Sequence, residues 1–173
     1  MTAHEPLGAW QRLSRWAPGR GYPGRVSDVL VLNGPNLARL GTREPDVYGS
    51  ADHDALARAA AAWGSAHALA VEVRQSDDEA DLIGWLHEAV DRGCDVVLNP
   101  AAFTHYSYAL ADAARLGTAA GHTLVEVHLS NPASREAFRH TSVIAAVATG
   151  TIAGFGFDSY RLALDVVAGR RGG

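Results

Sequence analysis

The stretch Asp28-Val29-Leu30-Val31-Leu32-Asn33-Gly34-Pro35-Asn36 sets four apolar residues in a row and stops them at a turn. A short apolar run bounded by Gly and Pro reads as a buried strand, and the asparagines fall where it ends. Working outward, LAVEVRQS (69–76), DVVLNP (95–100), TLVEVHLSN (123–131) and TIAGFGF (151–157) repeat the pattern. Helical stretches lie between them. Leu56, Ala59, Ala60 and Trp63 form an apolar stripe over 53–65, and Leu82, Ile83, Leu86 and Val90 form another over 80–93, which Gly93 ends. Residues 106–116 and 160–167 read as two further helices. Short apolar strands alternating with helices indicate βαβ units, hence an α/β fold with a mostly parallel sheet and helices on both faces.

The composition bounds the function. The chain has 173 residues, 47% of them apolar and 20% charged, with a formal charge of −4. That suits one globular domain, expected over 27–173. A single cysteine, Cys94, excludes an intrachain disulfide framework and a multi-cysteine zinc site. No apolar run approaches the roughly 20 residues of a membrane helix, and the start MTAHEPLGAW has no apolar core of a signal peptide. A cytoplasmic protein with no membrane and no nucleic-acid partner is expected. Residues 1–26 carry Arg12, Arg15, Arg20 and Arg25 against Glu5, then the breaker-rich WAPGRGYPG. They read as an extension, either dispensable or docked on a neighbouring subunit through Trp10 and Trp16.

In parallel sheets, ligands sit beyond the carboxyl ends of the strands. Here those ends carry Asn33 and Asn36, then Asn99, then Ser130 and Asn131. Such a floor is neutral and hydrogen-bonding. NGPNLARLG is not a dinucleotide fingerprint, no Walker loop occurs, and no histidine pair has HExxH spacing, so neither cofactor nor metal is expected. His128, at a strand end, is either catalytic or a hydrogen-bonded surface group. For His53 and the other scattered histidines an ordinary structural role is expected. Arg135 and Arg139, four apart, share a face if their segment is helical. With the backbone around Leu129 they suit a small anionic ligand bearing hydroxyls. The loop 36–49, holding Arg43 and Tyr48, is long and polar, as lids and binding loops are. Arg39 falls between loop residues and is given no role.

Asn33-Gly34-Pro35-Asn36-Leu37, Gly41, Arg43-Glu44-Pro45 and Tyr48-Gly49 resemble the opening signature of the type II 3-dehydroquinate dehydratases. The likeness continues through Arg74-Gln75-Ser76, Asn99-Pro100, Thr104-His105, Glu126-Val127-His128-Leu129-Ser130-Asn131, Arg135-Glu136, Phe138-Arg139-His140 and Ala148-Thr149-Gly150. It spans about 28–168. The resemblance implies a flavodoxin-like three-layer sandwich with a five-stranded parallel sheet, and a homo-oligomer, a dodecamer built as a tetramer of trimers. It implies the cofactor-free dehydration of a cyclic hydroxy-keto carboxylate, 3-dehydroquinate, in the shikimate pathway. Tyr48 would be the base and His128 the acid, with Asn36 stabilising the enolate, Arg43 beside the tyrosine, and Glu126 orienting His128. Asn99, His105, Leu129, Ser130 and Arg139 would hold the substrate. Asp112 would reach a neighbouring subunit's site, and Arg135 would organise the loop. A related lyase, or a catalytically weak homologue serving as a binding or structural protein, is the alternative.

The physics agrees with these roles. Holding a tyrosine ionised at neutral pH costs about 4 kcal/mol, which a neighbouring guanidinium opposes. All 15 basic residues are arginines, so a Schiff-base lysine route is excluded. Against the family pattern, Tyr106 and Tyr108 replace small residues and are expected to narrow the site or strengthen an interface. Pro132 removes a backbone donor, and Ser159-Tyr160 stands where Gly-Tyr is usual.

Overall fold

The computed structural model describes residues 28–41 and 52–172. The expected extension 1–26 and the loop residues Arg43 and Tyr48 lie outside them. Five strands, β1 (Val29–Asn33), β2 (Val71–Gln75), β3 (Asp95–Asn99), β4 (Leu124–His128) and β5 (Gly150–Ala153), form one sheet in the order β2-β1-β3-β4-β5. Every pair is parallel. Helices α1 (His53–Ala66) and α4 (Asp158–Arg171) cover one face, and α2 (Glu79–Arg92) and α3 (Tyr108–Ala119) the other. The result is the flavodoxin-like three-layer sandwich.

Strand alternation divides the core in two. Val29, Val31, Val97, Val125 and Val127 pack with Leu56, Ala163 and Leu164 on the α1/α4 side. Leu30, Leu32, Val96, Leu98 and Leu124 pack with Leu82, Leu86 and Leu110 on the α2/α3 side. Three of these four helices begin where a side chain satisfies an orphan amide. Asp52 accepts from Ala55 N, Asp78 from Ala80 N, and Ser107 from Leu110 N. Gly93 ends α2 with φ +70°, as its position predicts.

Several boundaries differ from expectation. The third helix starts at Tyr108 rather than 106, because Ala101–His105 forms its own 3-10 turn and Ser107 caps the helix after it. The last strand stops at Ala153 rather than running to 157, because Gly154 (φ +95°) and Gly156 (φ +56°) turn the chain away. The final helix runs on to Arg171. There Arg171 Nε donates to Asp95 Oδ2 at 2.6 Å, and its Nη1 and Nη2 donate to the Asp28 carboxylate and carbonyl at 2.9 Å. Those contacts tie the end of α4 to the starts of β1 and β3.

At the other end of the sheet, Asn33 and Asn99 stand in register across β1 and β3. Just beyond, Gly34 N donates to the Asn99 carbonyl at 2.8 Å. A Cβ at Gly34 would stand 2.7 Å from the Pro100 carbonyl oxygen and 2.9 Å from its carbon, both backbone atoms that cannot yield like a side chain. Gly34→Ala should therefore lower unfolding free energy by about 1–3 kcal/mol, measured by denaturant titration, the usual range for overpacking.

Candidate active site

The strand order reverses between β1 and β3, which is where parallel sheets open a crevice. A cavity of about 160 Å³ lies there. Its floor comes from the turn after β1, with Pro35, Asn36 and Leu37, and from Asn99 and Ala101 after β3. Its wall comes from His128, Leu129 and Ser130 after β4. Three arginines, Arg39, Arg135 and Arg139, give it a cationic rim. Asn36 adopts φ +69°, a left-handed conformation that asparagine tolerates better than most residues, and its N–H donates to Asp77 Oδ1 at 2.8 Å.

Glu126 is the buried charge of the site, with no exposed surface. It sits two residues before His128 on β4, so both side chains leave the same face. His128 Nε2 lies 2.8 Å from Glu126 Oε1. Thr104 donates to the same oxygen, and Ser142 Oγ lies 3.0 Å from both carboxylate oxygens. Burial alone would raise the Glu126 carboxyl, but the bonds from His128, Thr104 and Ser142 outweigh it and hold it below the usual carboxylate range. A carboxylate so placed orients the imidazole. It also leaves Nδ1 as the ring nitrogen able to serve a ligand.

Behind the floor, Tyr160 of α4 is fully buried. Its hydroxyl donates to Asn33 Oδ1 at 2.7 Å and accepts from Asn99 Nδ2 at 2.8 Å. Burial pushes the phenol far above its ordinary value, so the hydroxyl stays protonated. The neighbouring Ser159 has a use that a glycine could not supply. Its Oγ donates to the His128 carbonyl at 3.0 Å and accepts from Phe155 N at 3.2 Å, fixing the end of β4.

The cavity thus brings together Asn36, Asn99, His128, Leu129, Ser130, Arg135 and Arg139. His105 and Asp112 are not among its lining residues. His105 Nδ1 donates to the Thr141 carbonyl at 2.8 Å and its ring meets Phe138 edge-on, while Asp112 is exposed on α3. The segment carrying Arg135 and Arg139 is not one helix. It forms two 3-10 turns, Pro132–Ser134 and Ala137–His140. Arg139 Nε meets Glu136 at 2.8 Å, and its guanidinium covers the Phe138 ring at 4.7 Å. Pro132 opens the first turn, where an N–H has no partner within the turn, so the lost donor is of little consequence. Tyr106 and Tyr108 are 58% and 74% exposed and do not line the cavity, so they do not narrow it.

Sequence alone assigns no role to Arg39, Thr104, Ser142 or Tyr160. A signal for Tyr160 exists: a phenol inside the apolar stripe with Ala163, Leu164 and Val167 needs a buried partner. Thr104 falls within the family likeness, but no spacing points it or Ser142 to Glu126, where their meeting is tertiary. Among the described residues no group of three His, Cys, Asp or Glu side chains is placed to hold a metal ion. Nor is any helix among them long and apolar enough to cross a membrane.

Comparison with known proteins agrees with this fold. The chain is 56% identical to a 3-dehydroquinate dehydratase of Salinispora tropica over 142 residues, covering 82% of this chain and 97% of that one. It is 51% identical to that of Deinococcus radiodurans over 143 residues, covering 81% and 96%. Among solved structures, the type II dehydroquinase of Propionibacterium acnes matches with a TM-score of 0.78 at 50% identity, covering 84% of this chain and 99% of that one. Residues 27–168 match the family described as Dehydroquinase class II, and the chain belongs to that family.

Proposed function

We propose that the protein is a 3-dehydroquinate dehydratase, a hydro-lyase that converts 3-dehydroquinate to 3-dehydroshikimate and water through an enolate. The observation that carries this reading is the buried Glu126–His128 pair beside a cavity rimmed by Arg39, Arg135 and Arg139. Membership of the class II dehydroquinases and the 3-dehydroquinate dehydratases among its relatives support it. The reaction removes a proton from C2, next to the ketone, and leaves negative charge on the enolate oxygen. Tyr48 is the base, ionised with help from Arg43, and Asn36 helps to stabilise the enolate. His128, protonated and backed by Glu126, gives its proton to the departing C1 hydroxyl, which leaves as water. Asn99, Leu129, Ser130, Arg139 and His105 hold the carboxylate and hydroxyls, and Arg135 organises the loop. The same reading makes the protein a cytoplasmic enzyme of the shikimate pathway, assembled as a dodecamer, a tetramer of trimers, in which the exposed Asp112 serves a neighbouring site.

Purified protein should turn over 3-dehydroquinate with growth of the enone's ultraviolet absorbance, and borohydride should leave that activity intact. Tyr48→Phe and His128→Ala should each lower kcat by about 100-fold or more while the fold is retained, since each removes a proton-transfer group. Turnover undiminished in Tyr48→Phe would remove the tyrosine from its role.

Glu126→Gln should lower kcat by at least about tenfold and change KM less, because the carboxylate acts on the imidazole rather than on substrate. The lowered Glu126 pKa also sets a sign. The stability it contributes is complete above the ordinary carboxylate range and is lost as pH falls through its folded-state value. Thermal unfolding followed from pH 7 to pH 3 should accordingly fall less steeply in Glu126→Gln than in the parent chain.

A further inference from the structure

The Tyr160 bridge is one part of a longer chain of hydrogen bonds, and a single backbone amide fixes the direction of all of it. Asn99 Oδ1 lies 3.2 Å from Ala101 N. A backbone N–H can only donate, so the Asn99 oxygen faces it and the Asn99 NH2 faces Tyr160. That NH2 also can only donate, so the phenol accepts at 2.8 Å and must pass its own hydrogen onward. It passes it to Asn33, 2.7 Å away, whose oxygen therefore faces Tyr160. The Asn33 NH2 is then turned to His53 Nε2 at 3.2 Å. Two donors cannot face each other, so His53 Nε2 carries no hydrogen, and the ring is neutral with its proton on Nδ1.

The reverse polarity is closed off. It would set the Asn99 NH2 against the Ala101 N–H, at a residue already held at φ +49°, and leave that amide without its acceptor. Asn33, Asn99 and Tyr160 are all buried, so water does not replace a lost partner cheaply. His53, at the start of α1, is the half-buried end of the chain, and burial lowers its pKa against the opposing charges of Asp54 and Asp52.

We propose that Tyr160, Asn33 and His53 are positioning residues that act together with the Ala101 amide to hold the Asn99 amide with its nitrogen, not its oxygen, as the group left for a ligand in the cavity. Asn99 lines that cavity and its NH2 spends one hydrogen on Tyr160. The second hydrogen is the one offered to a bound molecule, so Asn99 serves an acceptor such as a carboxylate or hydroxyl oxygen of the substrate. The assignment of a role in substrate binding rests on the dehydratase reading above; the direction of the chain does not.

Two measurements test it. In protein labelled with 15N-histidine, two-bond proton–nitrogen correlation reads the tautomer of each ring without substrate, and the His53 signals are identified by their loss in His53→Gln. The Nδ1–H form is expected, and the Nε2–H form would overturn the proposal. Steady-state kinetics with 3-dehydroquinate then compares His53→Gln, whose carbonyl can still accept from Asn33, with His53→Lys, which can only donate. His53→Gln should keep KM within about twofold of the parent. His53→Lys should raise it about tenfold with less change in kcat, as expected for a misdirected hydrogen bond to substrate. Tyr160→Phe should raise KM by a similar factor, and should it fail to fold, the two His53 variants at the half-buried end still decide. Equal KM values in the Gln and Lys variants would overturn the positioning role. Absence of turnover in the parent chain would instead defeat the dehydratase reading, leaving the tautomer to decide the direction of the chain.

Discussion

Between the first and third strands the backbone of Gly34 lies against that of Pro100, with the Gly34 amide bonded to the Asn99 carbonyl at 2.8 Å. The rest of the site depends on that approach. It closes the switch point of the sheet into a floor rather than a cleft, and it sets the turn bearing Asn36 beside the end of β3. Any side chain at position 34 would separate the two segments by displacing main chain. Parallel pairing makes the approach possible, because it ends neighbouring strands at one edge with Asn33 and Asn99 in register.

The two faces of the sheet then do different work. Asn33 and Asn99 follow the alternation of Val31 and Val97 toward α1 and α4, where Tyr160 meets them. Glu126 follows Leu124 toward α2 and α3, where Thr104 and Ser142 satisfy it. A fully buried carboxylate is costly unless every oxygen is bonded, and here hydroxyls and an imidazole serve both oxygens. The neutral network on one face holds a polar floor, and the charged one on the other orients the His128 imidazole. They meet at the cavity where β3 and β4 end.

Much of this was legible from residues alone. Apolar runs broken by Gly, Pro and Asn marked all five strands, and an apolar stripe ended by Gly93 marked α2, because those signals are local. The grouping of asparagines and His128 at strand ends was legible for the same reason, and so was the facing of Glu126 and His128 two residues apart. Long-range partners were not. Ser142 lies 16 residues from Glu126 and Tyr160 lies 61 from Asn99, and no spacing rule links such pairs. Arg139 reaches the cavity from a 3-10 turn instead of the helix its spacing with Arg135 suggests, since Pro132 and the short turns leave no room for one. The last strand was drawn too long because apolar residues alternate with glycines through Phe157, and only the positive φ angles of Gly154 and Gly156 reveal the turn.

The final helix is gripped at both ends. Near its start Tyr160 is bonded between two strand termini, and in its last turn Arg171 is bonded to the opposite ends of β1 and β3. Between them run about three turns, roughly 16 Å, which is close to the length of the strands it spans. The helix therefore behaves as a gauge block whose length is matched to the sheet. Substitutions on its outer surface leave that match alone, whereas one residue added or removed between positions 160 and 171 would shift one grip by about 1.5 Å and turn it by about 100°. Along the outer surface of this element evolution is free to vary chemistry, but nowhere along it is it free to vary count.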